Sequence, residues 1–321
     1  MGDSLAAVVI GRNEGARLVR CLSSLAGGVA RIVYVDSGST DGSVEAARGL
    51  GALVVPLDPA LPFTAARARN AGWAALETDP PDAVLFVDGD CEVQPGWIAT
   101  AQAFLTAHPK VAVVCGRRRE RFPEASVYNR LCDREWNRPA GETASCGGDA
   151  LIRWAALTAV GGYDPALIAG EEPDMCLRLR DQGWTIWRLA AEMTLHDAAI
   201  TRLSQWAKRC RRTGHAYAEG AFRHGGARLG GPGQRRALIW GVILPLLALS
   251  GTVFTPWATL LFLAWPLQIL RLAARPPQRF ARETWEEAFF LTLAKFPEAR
   301  GVVEFHLRRL LGRSRGLIEY K

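Results

Sequence analysis

An α/β domain followed by a separate helical region is what this sequence predicts, and three observations carry the prediction. Short apolar, β-branched runs alternate with helix-like spacing through the first two hundred residues, which is a βαβ rhythm. Acidic and glycine-rich clusters follow those runs. The second part of the chain holds 34 consecutive residues, 237–270, without a formal charge.

The apolar runs are residues 6–10, 31–35, 52–55, 83–87 and 111–115, and helical spacing marks 16–25 and 43–50 between them. Buried parallel strands read as continuous apolar runs, and ligands of such sheets sit beyond the carboxyl ends of the strands. The residues that follow each run are therefore the first candidates for a site. The first run leads into Gly11-Arg12-Asn13-Glu14-Gly15, the second into Asp36-Ser37-Gly38-Ser39-Thr40-Asp41-Gly42, and the fourth into Asp88-Gly89-Asp90. Two carboxylates at i, i+2 suit a hard divalent cation, which takes oxygen ligands and keeps positions open for a diphosphate. No GxGxxG follows the first run and no GxxxxGK[ST] occurs in the sequence, which argues against a nicotinamide enzyme and a P-loop ATPase.

Composition excludes other classes. Of 321 residues, 49% are hydrophobic and 22% charged, enough apolar surface for a packed core, so a disordered chain is excluded. Seven cysteines with no CxxC argue against a disulfide scaffold and a structural zinc motif, and fit a reducing compartment.

Charge divides the chain in two. Residues 1–200 carry 19 Lys and Arg against 25 Asp and Glu, whereas residues 201–321 carry 20 against 7. Because the basic part also holds the apolar run, an anionic membrane surface is the expected partner rather than nucleic acid. We expect a catalytic domain over 1–200, a basic helical connector over 201–236, a hydrophobic hairpin over 237–272 and a basic amphipathic tail over 273–321. The hairpin reads as two helices of about 16 residues, interrupted at Ser250-Gly251-Thr252 and Pro256, that span the membrane or re-enter it. Arg235 and Arg236 before it, and Arg271 and Arg275 after it, keep both flanks on the cytoplasmic side. Its alternative is a buried hairpin of a soluble domain. The polar start, Met1-Gly2-Asp3-Ser4, leads us to expect no signal peptide. In the tail, residues 280–295 and 302–313 are amphipathic, suited either to a bilayer surface or to packing against the protein.

These motifs carry a resemblance. VVIGRNEGARLVRCLSSL, VDSGSTDGS, ARARNAG, FVDGDCEVQPGW, GGDALIRWAALTAVGGYD and GEEPDMCLRLRDQGW, in this order over residues 5–197, resemble a family-2 inverting glycosyltransferase of the GT-A fold. That resemblance implies a Rossmann-like mixed sheet flanked by helices, a nucleotide-sugar donor, and Mg²⁺ or Mn²⁺ as cofactor. It implies that the loop after the first strand, with Asn13 and Glu14, together with Asp36 and Asp41, holds the uracil and ribose, with Arg69 near the base or sugar. Asp88 and Asp90 resemble the DxD pair, Asp90 as the more direct metal ligand and Asp88 nearer the ribose or donor sugar. Gly147, Gly148 and Asp149 resemble the loop facing donor sugar and acceptor, and Glu172 falls at the catalytic base.

Several features depart from the pattern. Position 172 is Glu where the family usually has Asp, so Glu171 or Asp174 are alternative bases, and all three also suit the acidic first turn of a helix. Ser37 stands where many relatives carry a second Asp. The QxxRW motif of processive synthases is absent, since Gln205 is followed by Trp206-Ala207-Lys208-Arg209, which favours transfer of one sugar. His196 and Arg209 to Arg212 are expected to supply positive charge to the leaving diphosphate. The run Arg117-Arg118-Arg119 with Arg121 reads as a solvated face, or as a contact for phospholipid or an anionic acceptor.

The function expected is membrane-associated, metal-dependent, non-processive transfer from a UDP-sugar to an envelope glycan or lipid acceptor at the cytoplasmic face. Its rivals are a polyprenyl-phosphate sugar transferase of the same family and a non-catalytic sugar-nucleotide-binding membrane protein. A phosphatase of the haloacid-dehalogenase type is disfavoured by Glu92, two residues past the second Asp.

Overall fold

In the computed structural model, which describes residues 4–312, the chain forms two compact units, Met1–Thr201 and Arg202–Lys321. The first is built on one nine-stranded sheet: β1 (Leu5–Gly11), β2 (Arg31–Asp36), β3 (Leu53–Pro56), β4 (Ala83–Asp88), β5 (Cys91–Val93), β6 (Val111–Glu120), β7 (Gly141–Glu142), β8 (Ala150–Arg153) and β9 (Thr185–His196). The order is β3-β2-β1-β4-β8-β6-β9-β5, with β7 on β9. β3, β2, β1 and β4 are parallel, β8 is antiparallel to both β4 and β6, and β9 is parallel to β6, so the sheet is mixed. Each of the five apolar runs falls in a strand, the third from Leu53 onward; the short β5 and β7, and β8 and β9, have no counterpart among them.

Helices α1 (Ala16–Leu25), α2 (Ser43–Gly49), α3 (Ala65–Ala74), α4 (Trp97–Ala107), α5 (Val127–Trp136), α6 (Trp154–Ala159) and α7 (Glu171–Asp181) flank the sheet. α1 buries Leu18, Cys21, Leu22 and Leu25, the i, i+3, i+4, i+7 stripe of an amphipathic helix. α3 approaches the sheet closely at Gly72, where a Cβ would stand 2.3 Å from a methyl of Val8 and 2.9 Å from one of Val35. Register aligns the strand ends: Gly11 of β1 lies opposite Asp36 of β2, and Ile10 opposite Asp88 of β4. The acidic loops therefore open on one sheet edge.

The second unit is helical: α8 (Leu203–His224), α9 (Gly231–Leu238), α10 (Leu244–Phe254), α11 (Ala264–Ala273), α12 (Arg282–Leu293) and α13 (Lys295–Leu310). α9 and α10 are joined by a π-helical turn into one 24-residue rod, Gly231–Phe254, about 36 Å long at 1.5 Å per residue. A second rod, Pro256–Ala273, has 18 residues. Of the two interruptions expected, at residues 250–252 and at Pro256, the second coincides with the break between the rods and the first does not interrupt the helix. There Ser250 and Thr252 return their hydroxyls to the carbonyls of Leu246 and Leu249 and the helix continues, ending only at Thr255 before Pro256. The rods are not core helices, since Leu246 is 60% exposed, Phe254 87% and Trp257 77%.

α13 crosses α8 at backbone contact. A Cβ on Gly214 would stand 1.9 Å from the carbonyl oxygen of Glu298, and one on Gly301 2.0 Å from that of Arg211. Ala299, Val302 and Phe305 are buried at this crossing with Ala218 and Ala237. This part of the amphipathic tail thus packs on the protein through Val302 and Phe305, while Leu307 and Leu310 stay exposed; Arg313 and the residues beyond it lie outside the described residues.

Candidate active site

The loops after β1 and β2 lock together. Asn13, in left-handed conformation with φ 55°, accepts the Thr40 N–H at 2.7 Å, and its own N–H donates to Ser39 Oγ at 2.9 Å. Asp36 is buried, accepting Tyr34 OH at 3.0 Å on one oxygen and the N–H groups of Gly38 and Ser39 at 3.0 and 2.9 Å on the other. Asp41 accepts the Ser43 hydroxyl at 2.6 Å, which holds its carboxyl below the usual range. Glu14 pairs with Arg17 at 2.7 Å. Four residues expected at the nucleoside are thus the ones that shape these two loops.

The centre of the site is a network of buried charge. Arg69, on α3, is 3% exposed and donates to Asp88 Oδ1 at 2.9 Å and to Glu171 Oε1 at 2.8 Å, with its guanidinium carbon 5.5 Å from the centre of the Tyr163 ring. Burial opposes its charge, but Asp88 and Glu171 more than offset that and raise its pKa. Removing one member of a buried pair leaves the others unpaired, so Arg69→Ala is expected to destabilise the protein by about 3–5 kcal/mol. The check is the denaturant midpoint of unfolding; an unchanged midpoint would show that water screens this network.

Arg118 is the residue that reading the sequence missed. It lies in the run taken as a solvated face, yet its Nη2 is 2.8 Å from Asp149 Oδ2 and 3.5 Å from Asp88 Oδ2. Its guanidinium carbon is 5.5 Å from the centre of the Trp136 ring. Arg117 and Arg119 pair with Glu192, Arg119 also with Asp133, and Arg121 with Glu92. Alternation along a strand turns one arginine inward, and the register shifts of β6 against β9 around Arg117 decide which.

Asp149 lies beneath the site, fully buried, accepting the Asp88 N–H at 3.1 Å and Thr194 Oγ1 at 2.8 Å. Gly148 above it leaves no room for a side chain: a Cβ would stand 2.8 Å from Asp88 Oδ2 and 3.1 Å from Arg69 Nη2. The preceding Gly147, at φ 93°, donates its N–H to Glu172 Oε1 at 2.6 Å. The two glycines thus link the first carboxylate of the DxD pair to the acidic start of α7.

The three acids in the first turn of α7 have different partners. Asp174 is 3% exposed and bound to Arg178 at 2.9 Å, and Glu171 is held by Arg69. Glu172 makes no ion pair among the described residues. Burial, with the charge of Glu171, raises its pKa to about 7 against the hydrogen bond from Gly147, so it is poised to exchange a proton near neutral pH.

Asp90 is 6% exposed, with its Oδ1 3.2 Å from His196 Nε2. The antiparallel pairing of β5 with β9, Cys91 opposite His196, brings the two together. Burial first, and then Arg118, lowers the His196 pKa to about 4. The imidazole is therefore held in its neutral form at pH 7. Its buried Nδ1 has no hydrogen-bond partner, and its ring meets Trp136 edge-on at 4.7 Å. Asp90 and His196 offer donor atoms within 4.8 Å of each other, whereas Asp88 groups with Asp149, and carboxylate oxygens of this kind suit Mn²⁺ or Mg²⁺. Arg209 and Arg212 stand on α8, in the second unit.

Comparison with known proteins bears on the fold and the family. Residues 7–146 match the model of glycosyl transferase family 2. A pre-mycofactocin glycosyltransferase of Mycobacterium tuberculosis is 31% identical over 227 residues, 66% of this chain and 46% of that protein. The succinoglycan biosynthesis protein ExoA of Rhizobium meliloti is 29% identical over 169 residues, 49% of this chain and 51% of its own length. The chain thus spans about half the length of the curated relatives it matches.

Among solved structures, the mannosyltransferase PcManGT of Pyrobaculum calidifontis, in complex with GDP-Man and Mn²⁺, aligns with a TM-score of 0.62 at 17% identity, covering 93% of this chain and 86% of its own. A glucosyl-3-phosphoglycerate synthase of M. tuberculosis, in complex with Mn²⁺, UDP and glucosyl-3-phosphoglycerate, aligns with a TM-score of 0.50 at 19% identity, covering 70% and 81%. At such identity the structures establish the fold. With the motifs in their order and the mixed sheet that carries them, residues 7–146 match glycosyl transferase family 2, and the unit that holds them has the GT-A fold.

Proposed function

We propose that the protein transfers one sugar, with inversion, from a UDP-sugar to a lipid-linked or glycan acceptor at the cytoplasmic face of a membrane, with Mn²⁺ or Mg²⁺ as cofactor. The observation that carries this reading is the pairing of two carboxylate sites across one glycine loop: Asp88 and Asp90 with His196 on one side, and Glu172 with a pKa of about 7 on the other. A divalent cation held by the carboxylates of the Asp88-Gly89-Asp90 turn would supply positive charge to the departing diphosphate. Glu172 accepts the proton of the acceptor hydroxyl, and Arg69 and Arg118 hold Asp88 in place. A residue that had lost its role would have no reason to keep a carboxylate half-buried and near-neutral in pKa, so the catalytic reading is favoured over a binding protein.

Exposed apolar rods flanked by arginine support membrane association. Arg235 and Arg236 lie near the start of the first rod, and Arg271 and Arg275 at the end of the second, a pattern that keeps both ends on the cytoplasmic side. Beside the first rod a cleft of about 420 Å³ is lined by Phe222, Leu238, Ile239 and Ile243 with Gln234 and His306, which favours a lipid-linked acceptor, a polyprenyl phosphate among them.

The test is release of nucleoside diphosphate by detergent-purified protein across UDP-, GDP- and TDP-sugars, with Mn²⁺, Mg²⁺ or EDTA and a lipid extract as acceptor. Release from one donor, abolished by EDTA, is expected; absence of both turnover and nucleotide binding would overturn the reading. Membranes washed with alkaline carbonate are expected to retain the protein, and its appearance in the supernatant would reduce the rods to a peripheral contact.

A further inference from the structure

We propose that Cys146, Cys176 and Glu172 form a binding site for a thiophilic divalent cation of the Zn²⁺ type, distinct from the carboxylate metal site, and that its occupation switches transfer off. Glu172 and Cys176 are i, i+4 on α7, hence on one face of that helix. Cys146 reaches them from the loop that ends in Gly147-Gly148. The two sulfurs are 3.6 Å apart, and one ligand atom from each of the three residues lies within 4.8 Å of the others.

That separation has chemical meaning. Two sulfurs bound at about 2.3 Å on a tetrahedral cation lie about 3.8 Å apart, so the pair needs almost no movement to bind one. Two thiolates and one carboxylate with the fourth position open are a donor set for Zn²⁺, whereas the oxygen-rich set at Asp88 and Asp90 suits a harder ion. Cys146 is 3% and Cys176 0% exposed, and both are free thiols. The hydrogen bond between them, with burial, keeps Cys146 protonated. On binding, each thiol gives up its proton as its sulfur bonds the cation, two protons leave and no electron moves. The carboxylate that would accept the acceptor's proton is then a metal ligand.

The inhibitory consequence rests on Glu172 being the base, but binding itself does not, and the test separates the two. Reduced full-length protein in detergent is titrated with Co²⁺, and the sulfur-to-cobalt charge-transfer band in the near ultraviolet is recorded. The band is expected in the unmodified protein, absent in Cys146→Ser and in Cys176→Ser, and retained in Cys91→Ser, which controls for the cysteine beside Asp90. Retained nucleotide binding shows that a variant is folded, and Cys146, at the loop, provides the reading if Cys176→Ser is not. In the transfer assay with excess Mn²⁺, equimolar Zn²⁺ is expected to lower the rate of the unmodified protein at least about tenfold and to leave the Cys146→Ser rate unchanged. No band, a band that survives both serine variants, or a band lost only in Cys91→Ser would overturn the site. A band of the expected pattern without inhibition would overturn the switch.

Discussion

Asp90→Ala is expected to lower metal-stimulated transfer by at least ~10²–10³, the usual loss when a group that stabilises developing negative charge is removed. The structure gives two reasons why no neighbour would compensate. Asp90 is the carboxylate that faces His196, and that imidazole, with a pKa of about 4, brings no positive charge of its own at neutral pH. Asp88 is meanwhile engaged by Arg69 and Arg118. The measurement is the Mn²⁺ dependence of nucleoside-diphosphate release. A variant that kept its rate, with unaltered half-saturation by Mn²⁺, would remove Asp90 from the metal site.

Glu172→Gln is expected to lower kcat by ~10²–10⁴, the range in which general-base assistance contributes, with little change in donor affinity. The variant keeps an oxygen that can accept the Gly147 N–H, so the loop stays in place while the proton acceptor is lost. The sign of the pH dependence follows from the raised pKa. Below about 7 the side chain is protonated and cannot take a proton; above it the carboxylate forms, so kcat/KM is expected to rise with pH through about 7 in the unmodified protein. That limb should vanish in the variant. If it persisted, Glu171 or Asp174 would become the base, although Arg69 and Arg178 already hold those two.

Local pattern revealed a large part of this molecule. The continuous apolar runs place β1, β2, β4 and β6 because a strand buried on both faces needs an apolar residue at every position, while β3 is the half-exposed edge strand, with Leu53 at the surface. The acids at 36, 88 and 90 are legible as a site because residues just past such strands emerge on one edge. The segments that failed to show are those whose stability comes from neighbours. β5 has three residues and no pattern of its own, and it is a strand because β9 offers it a partner. Without that pairing His196 and Asp90 have no visible relation. Of the two breaks expected in the hairpin, Pro256 ends the first rod, whereas the hydroxyls at 250 and 252 bond back to the helix and leave it continuous there.

The sequence alone determined the family motifs, the sheet edge on which they gather, the acidic first turn of α7 and the charge-free rods, since each is written in residues close together in the chain. Tertiary structure alone decided which acid is left without an ion pair, which arginine of 117–119 turns inward, that His196 is neutral, and that Cys146 meets Cys176. The physical reason is the same in all four cases. A side chain's charge state and partners depend on what is packed against it and how much water is excluded, and those are set by strand order and helix docking between segments distant in sequence.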